Sequence, residues 1–271
     1  MTTEQIVGQL QKHTREFETD GPSSWRLTVR NGTALAIRAR LDGGWLKLEA
    51  APESAVPVSD WTLLRWNAVL PPGTRFARPA RLRAEIPVAG ELDAAPRIRD
   101  ACAGFSAGAA LLHGEDPARR EEPGEAVPGM AEACQEAGWR AVERANGRVA
   151  VDLGVHALEA LVEPARGGVR LFVELGSAAA LGGSSRQAVA ALLIEASGAV
   201  RMARPAAAEI PGEEKLSWEV VFGSAPCASE LGHALSALAV ASAISCREAR
   251  ALAAEELAGR YLATRGINPA G

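Results

Sequence analysis

The feature that most restricts the fold of this chain is an internal repeat. The stretch Gly114–Gly129, GEDPARREEPGEAVPG, is rich in Pro, Gly and Glu and cannot bury a core face, so it reads as a linker. On either side of it the same order of elements is written. In the first copy a helical stretch over Thr3–Phe17 precedes Trp25, Leu27 and Val29, which alternate with Arg26, Thr28 and Arg30 in the period-2 pattern of a half-buried strand. Asn31-Gly32 is a hairpin turn pair, because both residues tolerate positive φ. Leu35, Ile37, Ala39 and Leu41 continue the alternation, and Asp42-Gly43-Gly44 turns the chain into a third strand over Trp45–Ala50. In the second copy a helix near Met130–Trp139 precedes strands at Val149–Leu153, Ala157–Glu163 and Val169–Leu175. The turn Arg166-Gly167-Gly168 stands before the third of them.

Each copy continues with a helix. In the first it covers Ser59–Ala68, with Ser59 a good N-cap and Trp61, Leu64 and Ala68 on one face; in the second it covers Ser184–Ser197. A second anchor matches Arg75-Phe76-Ala77-Arg78-Pro79 with Arg201-Met202-Ala203-Arg204-Pro205. The fifth strand matches Arg81–Val88 with Lys215–Phe222, both reading basic, Leu, x, x, Glu, aliphatic, x, apolar. A rival alignment sets Glu85-Ile86-Pro87 against Glu209-Ile210-Pro211; the first is preferred because it preserves strand phase. A long Ala-rich helix closes each copy, over Ala95–Leu112 and Ser229–Leu262. The expected fold is therefore α+β: two tandem α-β-β-β-α-β-β-α modules, residues 1–113 and 130–271, with antiparallel five-stranded sheets related by a pseudo-twofold axis. The middle helices, with Leu63, Leu64, Leu192 and Leu193, are expected at the interface between the modules, and the chain is expected to be a monomer.

The balance of charges narrows the partners. A formal net charge of −4, with scattered arginines and only Lys12, Lys47 and Lys215 as lysines, leaves no basic stripe of the kind that releases counterions from nucleic acid. No run of about 18 apolar residues is present, so no membrane span is expected. The amphipathic polar start lacks an apolar signal core, and Cys102, Cys134, Cys227 and Cys246 form no CxxC pair, which points to a reducing cytoplasm.

Chemistry is thinly represented. His13, His113, His156 and His233 fall in four different elements without a ligand-spaced neighbour, so no metal site is expected. Cys102 and Cys246 sit in small-residue helices and read as packing residues. Cys227 lies near the start of the last helix without a His partner. Leu181-Gly182-Gly183-Ser184-Ser185 joins a strand to a helix but lacks the lysine and spacing of a phosphate loop. Glu85 and Glu219 occupy equivalent strand positions on the polar phase and read as solvated surface. An enzyme would need distant residues such as His156, Glu85 and Glu219 to converge. No cofactor and no catalysis are expected.

Three apolar residues stand out of phase. Trp45 lies on the face opposite Leu46 and Leu48, Phe172 opposite Leu171 and Val173, and Leu161 opposite Leu158 and Ala160. One face of an antiparallel sheet usually meets water. These side chains therefore mark either cover from within the chain or a binding surface for a client polypeptide.

The order of elements resembles the fold of the type III secretion chaperones (the Tir chaperone or CesT-like family) and the related YbjN proteins. The most family-like stretch is Leu63-Leu64-Arg65-Trp66-Asn67-Ala68-Val69-Leu70-Pro71 running into Arg75-Phe76-Ala77. The second copy keeps Leu192-Leu193 and Met202-Ala203 but carries Ala196-Ser197 where the family has Asn and its neighbour. The resemblance implies a module that dimerises through its middle helix and adjacent strands and holds an unfolded client segment without cofactor or chemistry. A tandem copy would resemble such a dimer fused by a linker. The competing expectation is a structural or regulatory scaffold that binds no peptide.

Overall fold

The computed structural model describes residues 1–29, 35–51, 58–78, 81–89, 92–115, 124, 127–144, 147–165, 168–210 and 212–267. The first half runs α1 (Thr3–His13), β1 (Thr14–Gly21), β2 (Ser24–Val29), β3 (Ala36–Asp42), β4 (Trp45–Ala50), α2 (Asp60–Val69), β5 (Arg75–Ala77), β6 (Arg81–Pro87) and α3 (Ala95–Leu112). The second runs α4 (Met130–Glu136), β7 (Ala141–Glu143), β8 (Val149–Asp152), β9 (Glu159–Ala165), β10 (Gly168–Ser177), α5 (Gly183–Ala196), β11 (Arg204–Ile210), β12 (Glu213–Phe222), α6 (Ala228–Ala251) and α7 (Glu255–Thr264). Each half builds a six-stranded antiparallel sheet, β1-β2-β3-β4-β6-β5 and β7-β8-β9-β10-β12-β11. The two orders are the same, position for position. The chain is an α+β fold with two similar sheet modules.

The alternation read from the sequence is the alternation of burial. Trp25, Leu27, Val29, Ile37, Ala39, Leu46, Leu48, Leu82, Ala84 and Ile86 form the inner face of the first sheet. Ile6 and Leu10 of α1 and Ile98 and Phe105 of α3 belong to the same buried core. Gly43 and Gly44 sit at φ +57° and +79°, the two positive values that a two-residue turn needs between β3 and β4. Ser59 caps α2 by accepting from the Thr62 amide at 3.1 Å. Asn31-Gly32, Arg166-Gly167 and most of the linker lie outside the described residues.

Four expectations need correction. The sheets have six strands, not five, because each module gains a strand directly after its first helix. The helix expected over Thr3–Phe17 stops at His13, and Thr14–Gly21 is extended along β2. The eight residues TREFETDG are polar enough to pass for a helix end, and only pairing with β2 recruits them. The helix expected over Ser229–Leu262 breaks after Ala251, without Gly or Pro, and Ala254 turns extended at ψ 118°. Tertiary contact takes the place of a breaker: α7 folds back on α5, where Glu255 accepts the Ser185 amide at 3.2 Å. The fifth-strand match holds, since β6 and β12 take the same place beside β4 and β10, whereas Glu209-Ile210 lies on β11, which excludes the rival alignment. The Arg75–Pro79 anchor fails. Residues 201–203 precede β11, and the strand equivalent to Arg75–Ala77 begins at Arg204.

Small residues set how closely α3 approaches the sheet. A Cβ on Gly104 would stand 2.5 Å from the Cβ of Thr74, and one on Gly108 would stand 2.5 Å from a Leu82 methyl. Gly8, by contrast, faces nothing within 4 Å. The same substitution should therefore change sign between helices. Gly8→Ala in α1 is expected to stabilise by about 0.5–1 kcal/mol through helix propensity. Gly104→Ala is expected to destabilise by about 1–3 kcal/mol through overpacking. Urea unfolding of the two variants against the parent checks both.

Candidate functional site: the junction between the sheets

Parts of the outer faces of the two sheets, on the side of β4–β6 and β10–β12, meet each other through the middle helices, while Arg26, Arg38 and Arg40 on β2 and β3 stay exposed. Helix α2 packs on α5 and lies across β11, where Ala68 meets Ala206 and Ala208. Leu63, Leu64, Leu192 and Leu193 are all buried in the core. Asn67 is fully buried and ties both halves. Its Nδ2 donates to the carbonyls of Phe76 (3.3 Å) and Pro205 (2.9 Å), and its Oδ1 accepts the Phe76 amide at 2.6 Å. Asn67 closes the stretch Leu63-Leu64-Arg65-Trp66-Asn67 near the end of α2.

Two buried arginines cross the junction in opposite directions. Arg75 of β5, 1% exposed, grips Glu85 of β6 with both terminal nitrogens. Its remaining donors reach the end of α5 in the other half, the carbonyls of Ser197 (3.2 Å) and Val200 (2.6 Å). Arg204 of β11 donates to Glu219 of β12 at 2.9 Å, and its Nη1 reaches the end of α2, the carbonyls of Leu70 (2.8 Å), Pro71 (3.1 Å) and Thr74 (3.2 Å). Each module's arginine thus supplies the missing donors at the C-terminal end of the other module's middle helix, where cations are favoured. The two arginines share a role without sharing a register: Arg204 stands directly opposite Glu219, whereas Arg75 stands opposite Arg83, two residues from Glu85.

The reading of Glu85 and Glu219 as solvated surface is corrected here. Glu85 is 7% exposed and Glu219 fully buried, because the polar phase of each strand faces the other module. Glu219 also accepts from Arg170 at 2.7 Å, and Arg170 extends the chain of charges to Glu163 at 2.8 Å. Burial acts to lower the Arg170 pKa, but Glu219 and Glu163 outweigh it, and the net direction is upward. Sequence reasoning missed Arg75, Arg170 and Arg204 as partners. The available signal was the matched glutamate pair, each on a strand next to one bearing an arginine.

The out-of-phase residues are held by the same chain. The Arg201 guanidinium lies 4.9 Å over the Trp45 ring and His233 of α6 meets its edge at 5.2 Å, both from the second half. Phe172 is 7% exposed under Arg170, whose guanidinium stands 4.1 Å from the ring centroid. Leu161, paired with Phe172 across β9 and β10, stays half-buried.

The remaining chemistry is dispersed. His156 is exposed in the turn between β8 and β9, at φ 51°, and no hydrogen bond or ion pair among the described residues links it to Glu85 or Glu219. Burial pushes the Cys102 thiol up to about 12 and the Cys134 thiol to about 11, so both are inert at neutral pH. Cys227 is exposed and caps α6, where Glu230 accepts its amide at 3.0 Å. Among the described residues no group of three or more His, Cys, Asp or Glu is placed to hold a metal. No helix there is long and apolar enough to cross a membrane.

Two hollows open at the junction. One of about 30 Å³ is bordered by Glu85, Arg97, Asp100 and Glu230 and has room for little more than water. A cleft of about 610 Å³ lies between the starts of α2 and α5, lined by Asp60, Trp61, Leu63, Arg78, Arg186 and Ile267. Its cations are engaged. Arg78 pairs with Asp60, while Arg186 donates to the Ala178 carbonyl at 3.3 Å and stacks 4.9 Å over Trp61.

Removing Glu219 would take from Arg204 the carboxylate it donates to and leave Arg170 with Glu163 alone. Glu219→Ala is expected to cost about 3–5 kcal/mol in chemical denaturation, and Arg75→Ala a similar amount, against less than about 1 kcal/mol for Arg26→Ala at the exposed Arg26–Asp20 pair. A pH profile probes a third pair, Arg97–Glu230, with Nε to Oε1 at 2.7 Å. Burial raises the Glu230 pKa, but hydrogen bonds from Arg97 and the Cys227 amide lower it by more, and the net is below 4.5. A carboxyl depressed in the folded state stabilises above its unfolded value, about 4.5, and loses that contribution as pH falls through the folded value. Thermal unfolding between pH 6 and pH 3 should show a smaller loss of stability in Glu230→Gln than in the parent.

The chain matches no protein-family model, no curated protein and no solved structure.

Proposed function

We propose that the protein is a non-catalytic, polypeptide-binding protein, similar in use to the secretion chaperones it resembles, and that an extended client segment adds to the open edge of β1. The carrying observation is which sheet edge is left accessible. Of the four edge strands, β5 and β7 have three residues each and β11 lies under α2. The fourth, β1, has eight residues, pairs only with β2 among the described elements, and exposes Arg15, Glu16, Glu18, Thr19 and Asp20. An edge strand presents a row of unpaired N–H and C=O groups that another strand can take up. Trp45 and Phe172, already held by arginines of the same chain, belong to the framework, and Leu161 is a flank at most. We place the protein in a reducing cytoplasm, in keeping with four free cysteines, and as a monomer whose two modules satisfy each other.

The scaffold reading has its own support in the crosswise arginines and the covered aromatics, through which the two modules satisfy each other. Amide hydrogen exchange over Thr14–Gly21, combined with thermal shift, separates the two readings on a panel of extended ten-residue peptides. A client is expected to raise the melting temperature by mass action and to slow exchange in β1. A melting shift with unchanged β1 exchange moves the client elsewhere, and a panel that shifts nothing favours the scaffold.

A further inference from the structure

We infer that the segment taken up at β1 is basic at alternate positions, an inference that rests on the strand-addition reading above. The argument begins with the rows of side chains across the outer face. Register places Glu18 beside Arg26, Arg26 beside Arg38, Arg38 beside Glu49 and Glu49 beside Arg83. Arginines therefore stand on the inner side of the edge, and acids on the edge itself. On β1 the outward residues are Glu16, Glu18 and Asp20, with Arg15 as the only cation of the strand. Glu16 is engaged inward by the Thr28 hydroxyl at 3.2 Å and Asp20 by Arg26 at 3.3 Å. An added strand would set alternate side chains directly against Glu16 and Glu18 from the open side. Opposite charges at such positions stabilise and like charges destabilise.

The intervening positions ask for apolar residues. Phe17 points to the inner face, half-buried, and stacks on Trp25 with ring centroids 6.5 Å apart. A strand next to β1 would cover the open flank of Phe17 with every second side chain. The recognised pattern is basic, apolar, basic. A second copy of this chain is a poor occupant, because antiparallel pairing of two β1 strands sets carboxylates against carboxylates. Regular pairing on β1 runs from Glu16 to Thr19, between irregularities at Thr14/Glu16 and Thr19/Gly21, so the contact is short and its charge term counts heavily.

The test uses the whole protein and three ten-residue peptides that alternate Val with Lys, with Thr or with Glu. Affinity is measured by fluorescence anisotropy at low and at raised salt, and hydrogen exchange locates the contact. The Lys-Val peptide is expected to bind about tenfold more tightly than Thr-Val at low salt, as two or three cross-strand ion pairs would give, with the difference shrinking as salt screens them. The double variant Glu16→Gln/Glu18→Gln, checked for an unchanged melting temperature, should remove that preference and leave Thr-Val binding as it was. Equal protection of β1 by Lys-Val and Thr-Val overturns the charge inference and leaves the strand-addition reading standing. No protection by any peptide overturns both. A dimer by light scattering, with β1 protected in the absence of peptide, assigns the edge to a second copy and also overturns the inference.

Discussion

Two guanidinium groups buried between two sheets set the terms for the rest of this molecule. Taking Arg75 and Arg204 out of water is expensive, and the cost is offset only when nearly every N–H finds an acceptor. A single glutamate cannot supply that many acceptors. Glu85 satisfies part of Arg75 and Glu219 part of Arg204, and the remaining donors reach carbonyls exposed where a helix ends in the other module. The helix ends need donors and the arginines need acceptors, so neither module completes its own hydrogen bonding. The dependence runs both ways, which is why two similar sheets share one junction.

That junction redistributes the surface. A two-layer module with helices on one face of its sheet would leave the other face wet, and alternation along the strands is consistent with that plan. Here the second face carries Arg170, Glu219 and Phe172 in one half and Trp45 and Glu85 in the other, all enclosed to some degree. Cation–π stacking of Arg170 on Phe172 and Arg201 on Trp45 lets apolar rings and charged groups share one interface. What stays available for strand pairing is an edge, and β1 is the long one. The acids on that edge discourage self-pairing, as charged edge residues generally do, while still permitting a partner of opposite charge.

Much of the architecture could be read from the residues. Period-2 runs gave β2, β3 and β8, the Gly-Gly pairs marked the starts of β4 and β10, the serine before Asp60 marked the start of α2, and the paired Leu-x-x-Glu strands placed β6 and β12 in one topological position. The misread elements are those whose local signal is weak: β1, a polar strand that exists by pairing with β2, and the break before α7, which has no breaker residue and depends on Glu255 docking at α5.

The sequence by itself determined the repeat, the class of fold and the inward stripe of the strands it marked, because each depends on periodicity or on residue type at short spacing. Only the tertiary structure decided where Glu85 and Glu219 lie. Phase along a strand states which side a residue faces but not what stands on that side. Their partners, Arg75 and Arg204, lie 10 and 15 positions away, and those arginines find their further acceptors more than 120 positions along the chain. A buried charge is tolerable only where such distant groups converge, and that convergence is a property of packing, which local pattern does not encode.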